Sequence, residues 1–552
     1  MPSLFLAFFS LLVSSTLALP TSTSRRFSAR HNDRLSKLNT AKRAVEGTIG
    51  LGDNADLLYT VPIQLGDTTT IVNLDTGSSD LWAKTASVPS AGLNTTGAQV
   101  TMRYGDSTTG TFASGPIAVD TVSIAGVAID NQMFAAISDT TNSVVEFGAA
   151  GIFGLGFPSG SQIQGAAVTH QFGSTTATDH FVASSYADGP LISRIAQSGA
   201  LEMPMFTISL QRSTIDISGT GALTLGTLPD GVDNSSITWV PVRLYSPEDG
   251  GINPPSFAPN EASPIYPLRW EIDLDAVFLD GQQLAASTIP TTGGVDATRM
   301  SALIDTGNSI LRGPSDVVSN ILSTISPAYD PTVANSATLA CAKAHNLTFQ
   351  IGGKMFPIDP RDLIAPVSTD NAQNCAVDSI VATDAPGLGA LFRWSLGDPF
   401  LKSNLAAFHY GNLTHPSQDP PRIGFMSLVP ANAADLLAQA VQEAVQDNGE
   451  FDSTLVVAPT AAAELEAQVT VFATSASAQA ADLTGTHAPA APTPNPPAAT
   501  APVPTAKQGP ATTGAPSNAS GDKPKSAAAR SMGVRDPWLL ALGAAVLSAV
   551  IL

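Results

Sequence analysis

Leu74-Asp75-Thr76-Gly77-Ser78-Ser79-Asp80-Leu81-Trp82 (LDTGSSDLW) sets an aspartate directly after Ile71-Val72-Asn73-Leu74, an apolar, partly β-branched run that reads as a strand. Read alone, Asp75 is either an ordinary turn residue or a carboxylate held for chemistry. The chain repeats the arrangement 230 residues later, where Ser301-Ala302-Leu303-Ile304 leads into Asp305-Thr306-Gly307-Asn308-Ser309. Two copies, each after an apolar strand, point to a paired site built from two similar halves.

The residue types suit hydrolysis of an amide without a metal or a nucleophilic side chain. One group must take a proton from water, and another must give one to the carbonyl oxygen. Two carboxyls about 3 Å apart do both, because they cannot both ionise and therefore share a proton. Such a pair titrates as a unit, with activity peaking in acid. Gly77 and Gly307 let backbones approach closely and turn. The hydroxyls of Thr76, Ser78, Thr306 and Ser309 are candidate hydrogen-bond supports, with Asn308 in the second loop.

Further motifs occur in order. They are Thr101-Met102-Arg103-Tyr104-Gly105-Asp106-Ser107, the glycine-rich Gly151-Ile152-Phe153-Gly154-Leu155-Gly156-Phe157-Pro158, Trp394-Ser395-Leu396-Gly397-Asp398-Pro399-Phe400-Leu401, and Pro420 to Ser427 (PPRIGFMS). On these residues the chain resembles the pepsin-like aspartic endopeptidases over about Tyr59 to Leu428. The resemblance implies an all-β, bilobal fold, with an active-site cleft between an N-terminal lobe over 44–215 and a C-terminal lobe over 216–430. It implies Asp75 and Asp305 as the catalytic pair and the hairpin around Tyr104, Gly105 and Asp106 as a flap that closes over bound peptide. Trp82 is similar to the tryptophan that hydrogen-bonds the flap tyrosine. The two glycine-rich stretches resemble segments that buttress the active-site loops.

The sequence also departs from that pattern. Asn308 stands where Thr or Ser usually supports the second aspartate, which bears on the acidity of the pair. An N-lobe disulfide is impossible, because Cys341 and Cys375 are the two cysteines present. In a secreted chain these two most simply pair, and they match the family's C-lobe disulfide. Extra length at Ser159 to Pro190 and Leu244 to Leu268 is placed to reshape the cleft rim.

Composition agrees with a β-rich protein: 43% hydrophobic and 13% charged residues, with 45 Gly and 41 Pro, disfavour long charged helices. A net charge of −20 excludes a nucleic-acid partner, which a polyanion would repel. Strand-like runs bounded by Gly, Pro, Asn, Asp and Ser continue to Pro430.

The ends read as targeting segments. Residues 1–18, with an apolar run from Leu4 to Val13, read as a signal peptide. Residues 19–43 carry seven basic side chains against Asp33 and end at Lys42-Arg43, as in a basic propeptide. Residues 431–526 are assigned to an Ala/Ser/Thr/Pro-rich stalk, although Asn432 to Gln446 has helical character. Residues 527–552, ending in the apolar Trp538 to Leu552, read as a removed glycolipid-anchor (GPI) signal with attachment at Ser526; Asn518 and Ser520 are rival attachment sites. Sequons at Asn94, Asn234, Asn346, Asn412 and Asn518 suit a secreted glycoprotein.

The expected activity is therefore acid-pH endopeptidase hydrolysis of proteins or peptides by a monomer held at a membrane through a lipid anchor. Neither a cofactor nor a metal is expected. The competing readings are a catalytically inactive, surface-tethered peptide-binding protein on the same scaffold and a Mg²⁺-dependent phosphotransferase using an aspartate followed by Thr-Gly. The second requires further acidic motifs that the chain lacks.

Overall fold

The computed structural model describes residues 47–89, 93–172, 189–252, 265–296, 298–333 and 336–458. The expected signal peptide and propeptide, the stalk beyond 458, the anchor signal, Asn518 and Ser526 lie outside the described residues.

The two aspartate strands organise the molecule. Thr68–Asp75 runs parallel to Gly151–Gly154, which pairs antiparallel with Leu81–Lys84. In the second half Ser301–Ile304 runs parallel to Trp394–Leu396, which pairs antiparallel with Leu311–Gly313. The same three-strand device is thus built twice, with an aspartate at the end of its first strand. These strands are buried on both faces, which is why they read as continuous apolar runs rather than alternating ones. In the first half the device extends into a ten-stranded sheet, and in the second it lies in a five-stranded sheet. The all-β architecture with two β-rich halves is the one the resemblance implies.

A six-stranded sheet joins the halves. Its order is Gly47–Gly50, Ala222–Leu225, Met205–Ser209, Asn404–His409, Arg422–Ser427 and Thr238–Pro241, so strands from both ends of the folded chain interleave. The boundary expected at 215/216 falls inside this sheet, between Met205–Ser209 and Ala222–Leu225. Above it Phe157, Phe206, Trp270, Phe408 and Tyr410 pack ring against ring, with Phe157 and Trp270 centroids 4.2 Å apart. Trp270 Nε1 and Tyr410 Oη both donate to the Leu155 carbonyl, at 2.9 and 2.6 Å, while Leu155 N–H donates to the Asp75 carbonyl at 2.8 Å. The aromatic cluster of the shared core therefore reaches the first aspartate loop in two hydrogen bonds.

A buried ionic cluster fixes the same sheet to the short helix Asp398–Ser403. Arg212 donates to Asp362 through Nε at 2.8 Å and Nη2 at 2.7 Å, and Lys402 lies 3.1 Å from Asp56 and 3.2 Å from Asp362. Removing one partner from such a cluster typically costs about 3–5 kcal/mol, because an uncompensated charge stays buried.

The segment after Pro430 departs from the stalk assignment. Ala433–Gln446 is a helix whose Leu437, Ala440, Val441 and Ala444 are buried, and Leu455–Val456 pairs with Gly52–Asn54. Its alanine-rich composition suggested a stalk, yet apolar side chains at helical spacing give it a face to bury. The folded body therefore extends to at least Ala458, and the stalk boundary at 431 is too early.

Cys341 and Cys375 are bonded, with Cα atoms 4.9 Å apart, and join the two ends of a loop in the second half. The closure is worth about 3–4 kcal/mol in the chain-entropy picture. Asn94, Asn234 and Asn346 are exposed, and Asn412 is half-buried with its Oδ1 accepting from Thr414 and His415.

Candidate active site

The two Asp-Thr-Gly loops cross one another between the halves. Thr76 N–H donates to Thr306 Oγ1 and Thr306 N–H to Thr76 Oγ1, both at 3.0 Å. Each hydroxyl then donates across to the opposite strand, Thr76 to the Ile304 carbonyl and Thr306 to the Leu74 carbonyl, both at 2.8 Å. Both threonines are buried, so this four-bond link is shielded from water. Their part is to lock the loops together rather than to touch the carboxylates.

The link brings the Asp75 and Asp305 carboxyls within hydrogen-bonding reach of each other. Gly77 and Gly307 need no left-handed backbone; they provide room. A Cβ on Gly77 would sit 2.3 Å from Asp305 Oδ1, and one on Gly307 would sit 2.4 Å from Asp75 Oδ1. Each glycine thus makes space for the aspartate of the other half.

The two carboxyls are held unequally. Asp75 accepts from Gly77 N–H at 2.8 Å, Ser78 N–H at 3.2 Å and the Ser78 hydroxyl. Asp305 accepts from Gly307 N–H at 2.9 Å. Asn308, the counterpart of Ser78, turns away: its Nδ2 donates to Ser395 Oγ at 3.0 Å and its Oδ1 faces Arg312 Nε at 3.4 Å. Ser309 lies beside the pair in the chain without a hydrogen bond to either carboxylate among the described contacts. Burial raises both acids. Donors to Asp75 oppose the rise there, whereas burial and the neighbouring Asp75 charge push Asp305 up to about 7. Asp75 is therefore the better supplied with donors for its ionised form.

The strands Asn94–Tyr104 and Thr111–Ile124 form a hairpin whose last pair is Tyr104 with Thr111. Tyr104, Met102 and Trp82 share one apolar cluster. The hydrogen bond expected from the Trp82 N–H to the Tyr104 oxygen is not formed, and the phenol's own hydrogen goes to Met102 Sδ at 3.6 Å. The buried Trp82 N–H is near enough to favour the phenolate, yet no acceptor meets it in hydrogen-bond geometry. Burial dominates and holds the Tyr104 hydroxyl well above its ordinary pKa, so it stays a neutral donor.

Both glycine-rich stretches back the loops. Leu155 N–H donates to the Asp75 carbonyl at 2.8 Å, and Asp305 N–H donates to the Leu396 carbonyl at 3.1 Å. A Cβ on Gly397 would lie 1.8 Å from the Asn308 carbonyl, so only glycine fits.

The sequence profile of the eukaryotic aspartyl protease family matches residues 58–415. The chain belongs to that family. Among curated relatives, an aspartic protease of Phaffia rhodozyma is 24% identical over 415 residues, covering 72% of this chain and 83% of its own. Pepsin A of Sus scrofa is 25% identical over 384 residues, covering 66% and 78%. The solved aspartic proteinase from Irpex lacteus aligns with a TM-score of 0.49 at 19% identity, over 69% of this chain and 97% of that one. Family membership makes the protein a hydrolase of the aspartic peptidase type, acting on proteins or peptides.

Sequence reasoning missed several residues here. Asp80 is buried and caps the helix Gln162–Phe172, accepting from Gln162 N–H at 2.7 Å and from the Ser161 hydroxyl. Burial raises its carboxyl to about 6. Asp80 lay inside the quoted stretch, but its partner is 81 residues away and nothing local names it. Arg312 and Asp384, which touch the hairpin tip, likewise carry no motif. The inequality of the two loops predicts that Asn308→Thr, by returning a hydroxyl donor to Asp305, will move the alkaline limb of the kcat/KM profile to lower pH by roughly one unit. An unmoved limb would show that residue 308 does not set the acidity of the pair.

Proposed function

We propose that the protein is an endopeptidase acting in acid, with Asp75 and Asp305 as its catalytic pair. The observation that carries the reading is the crossed Thr76–Thr306 link, which holds two carboxyls together with one far better supplied with donors than the other. Aspartic proteases are the standard instance of two such carboxyls sharing one proton. Ionised Asp75 takes a proton from a water molecule as its oxygen attacks the peptide carbonyl, and protonated Asp305 gives its proton to the carbonyl oxygen. The tetrahedral intermediate then breaks at the C–N bond as the amine leaves with a proton from the pair. Tyr104, on the hairpin above, supplies a neutral donor and an apolar wall for the peptide.

The apolar run Leu4–Val13, the basic segment 19–43 and the tail 527–552 support a zymogen that enters the secretory pathway and is carried to the cell surface on a glycolipid. No described helix is long and apolar enough to cross a membrane. One experiment addresses both points. A phosphatidylinositol-specific phospholipase is applied to intact cells, and the released protein is incubated with a mixed peptide pool between about pH 3 and 7. Release and internal cleavage that peaks in acid are expected. Cleavage at no pH would favour the inactive peptide-binding reading, and protein that stays on treated cells would remove the glycolipid anchor.

A further inference from the structure

The tip of the hairpin reaches the second half of the molecule through three polar contacts. Asp106 uses its two carboxylate oxygens differently. Oδ1 accepts from Thr108 N–H at 2.9 Å, Thr108 Oγ1 at 2.7 Å, and Thr109 N–H and Oγ1 both at 2.9 Å, which builds the turn. Gly105, at φ +80°, leaves a Cβ only 2.6 Å from the Thr109 carbonyl, so the turn admits no side chain there. The remaining oxygen, Oδ2, meets Arg312 Nη1 at 2.7 Å. Beside it Ser107 donates to Asp384 through its N–H at 2.9 Å and its hydroxyl at 2.6 Å.

Arg312 and Asp384 are presented together because strand Leu311–Gly313 runs parallel to Ile380–Ala382, with Arg312 opposite Val381. A cation on one strand and an anion two residues past the end of its neighbour therefore meet a carboxylate and a pair of donors on consecutive residues of the tip. The Arg312 and Asp106 side chains are 20% and 11% exposed, so the pair is less screened than an open surface pair. Arg312 also extends toward the dyad. Its Nε faces Asn308 Oδ1 at 3.4 Å, in the loop that carries Asp305, and its charge favours ionised Asp305.

We propose that Arg312 is a positioning residue that couples closure of the hairpin to the loop bearing Asp305, a proposal that rests on the endopeptidase reading. With the hairpin down, Asp106 balances the guanidinium. With it raised, Arg312 loses that partner, and its charge acts on Asp305 alone. The groups facing Arg312 are Asp106 on the hairpin and Asn308 and Asp305 on the loop that precedes its strand, with Asp384 just beyond the neighbouring strand. Closure over a peptide then leaves the proton where the mechanism needs it, on Asp305.

The test uses the full chain and a quenched fluorescent peptide that the wild type cleaves. Arg312→Gln and Asp106→Asn are each expected to lower kcat/KM about 10-fold, mostly through KM, and the double variant to lose no more than either alone. The alkaline limb should shift upward in Arg312→Gln, where the cation is gone, and downward in Asp106→Asn, where it is unbalanced. Arg312→Lys should retain most of the activity. Additive losses, or limbs that move together, would overturn the coupling while leaving the endopeptidase reading intact. A second measurement does not depend on turnover: amide exchange at residues 105–110 should quicken about 10-fold in Arg312→Gln. Unchanged exchange there would also overturn the proposal.

Discussion

Gly307→Ala is expected to remain folded and to lose roughly 100-fold or more in kcat/KM. The added Cβ would lie 2.4 Å from Asp75 Oδ1 and 2.7 Å from its Cγ, distances that force a shift of the carboxylate. Asp75 cannot swing aside freely, because Gly77 N–H, Ser78 N–H and the Ser78 hydroxyl already hold both its oxygens. Displacing a reacting group by about 1 Å costs on the order of 100-fold. Asp75→Asn provides the reference: it removes the proposed base outright, and loss of a general base typically costs roughly 10²–10⁴-fold. The informative comparison is between them, measured as kcat/KM at the acid optimum with melting temperature as a fold control. Near-wild-type activity in Gly307→Ala would mean that the two loops do not approach as closely as the geometry requires.

Thermal stability is expected to be greatest near pH 4 and to fall as pH rises toward 7. Buried acids drive the fall, Asp305 at about 7 among them. Asp80 is raised to about 6 by burial, and Asp53 to about 7 by burial and by the adjacent Asp56. A carboxyl whose pKa is higher folded than unfolded contributes in full below the unfolded value of 3.8, and that contribution is lost as pH rises through the folded value. At about 1.4 kcal/mol per pH unit, Asp80 alone accounts for about 3 kcal/mol. His409 works the other way. Burial and Arg422 depress it to about 4, so its contribution is lost as pH falls from 6.5 toward 4 and offsets part of the trend. On the acid side, Asp362, held at about 2 against burial by Arg212 and Lys402, loses its contribution as pH falls below 3.8. Calorimetry from pH 3 to 8 checks the shape, and Asp80→Asn should flatten the decline. A melting temperature that climbs toward neutrality would contradict it.

How much of this was legible in the sequence depended on whether a residue's partner was written nearby. The aspartates were legible because each sits at the end of a run that must be buried, and because the pattern occurs twice. The glycines were found for a partly mistaken reason: what they require is space for the carboxylate of the opposite loop, and no local pattern shows where that loop will lie. Asn308 is visible as an oddity, but only its bonds to Ser395 and Arg312 show that it gives Asp305 no side-chain donor. Trp82 and Tyr104 share one apolar cluster, yet the Trp82 N–H meets no acceptor in hydrogen-bond geometry, while the phenol's own hydrogen goes to Met102 Sδ. Residues 431–458 were misassigned because composition outweighed the spacing of Leu437, Ala440, Val441 and Ala444. The ionic cluster around Arg212 and Asp362 was out of reach, since its members are 150 residues apart and charged side chains seldom announce that they will be buried.

The interleaved six-stranded sheet also imposes an order on biosynthesis. Its central strand Met205–Ser209 has Ala222–Leu225 on one side but must wait for Asn404–His409 on the other, and that strand in turn waits for Arg422–Ser427. While the chain is being made, the first aspartate loop can form its local turn, but the aromatic donors that brace Leu155 arrive only with Trp270 and Tyr410. The bracing of the Asp75 loop is therefore complete only once Tyr410 has been made. Pairings between such distant segments are slow to form, and until they do the strand edges stay open to pairing with other chains.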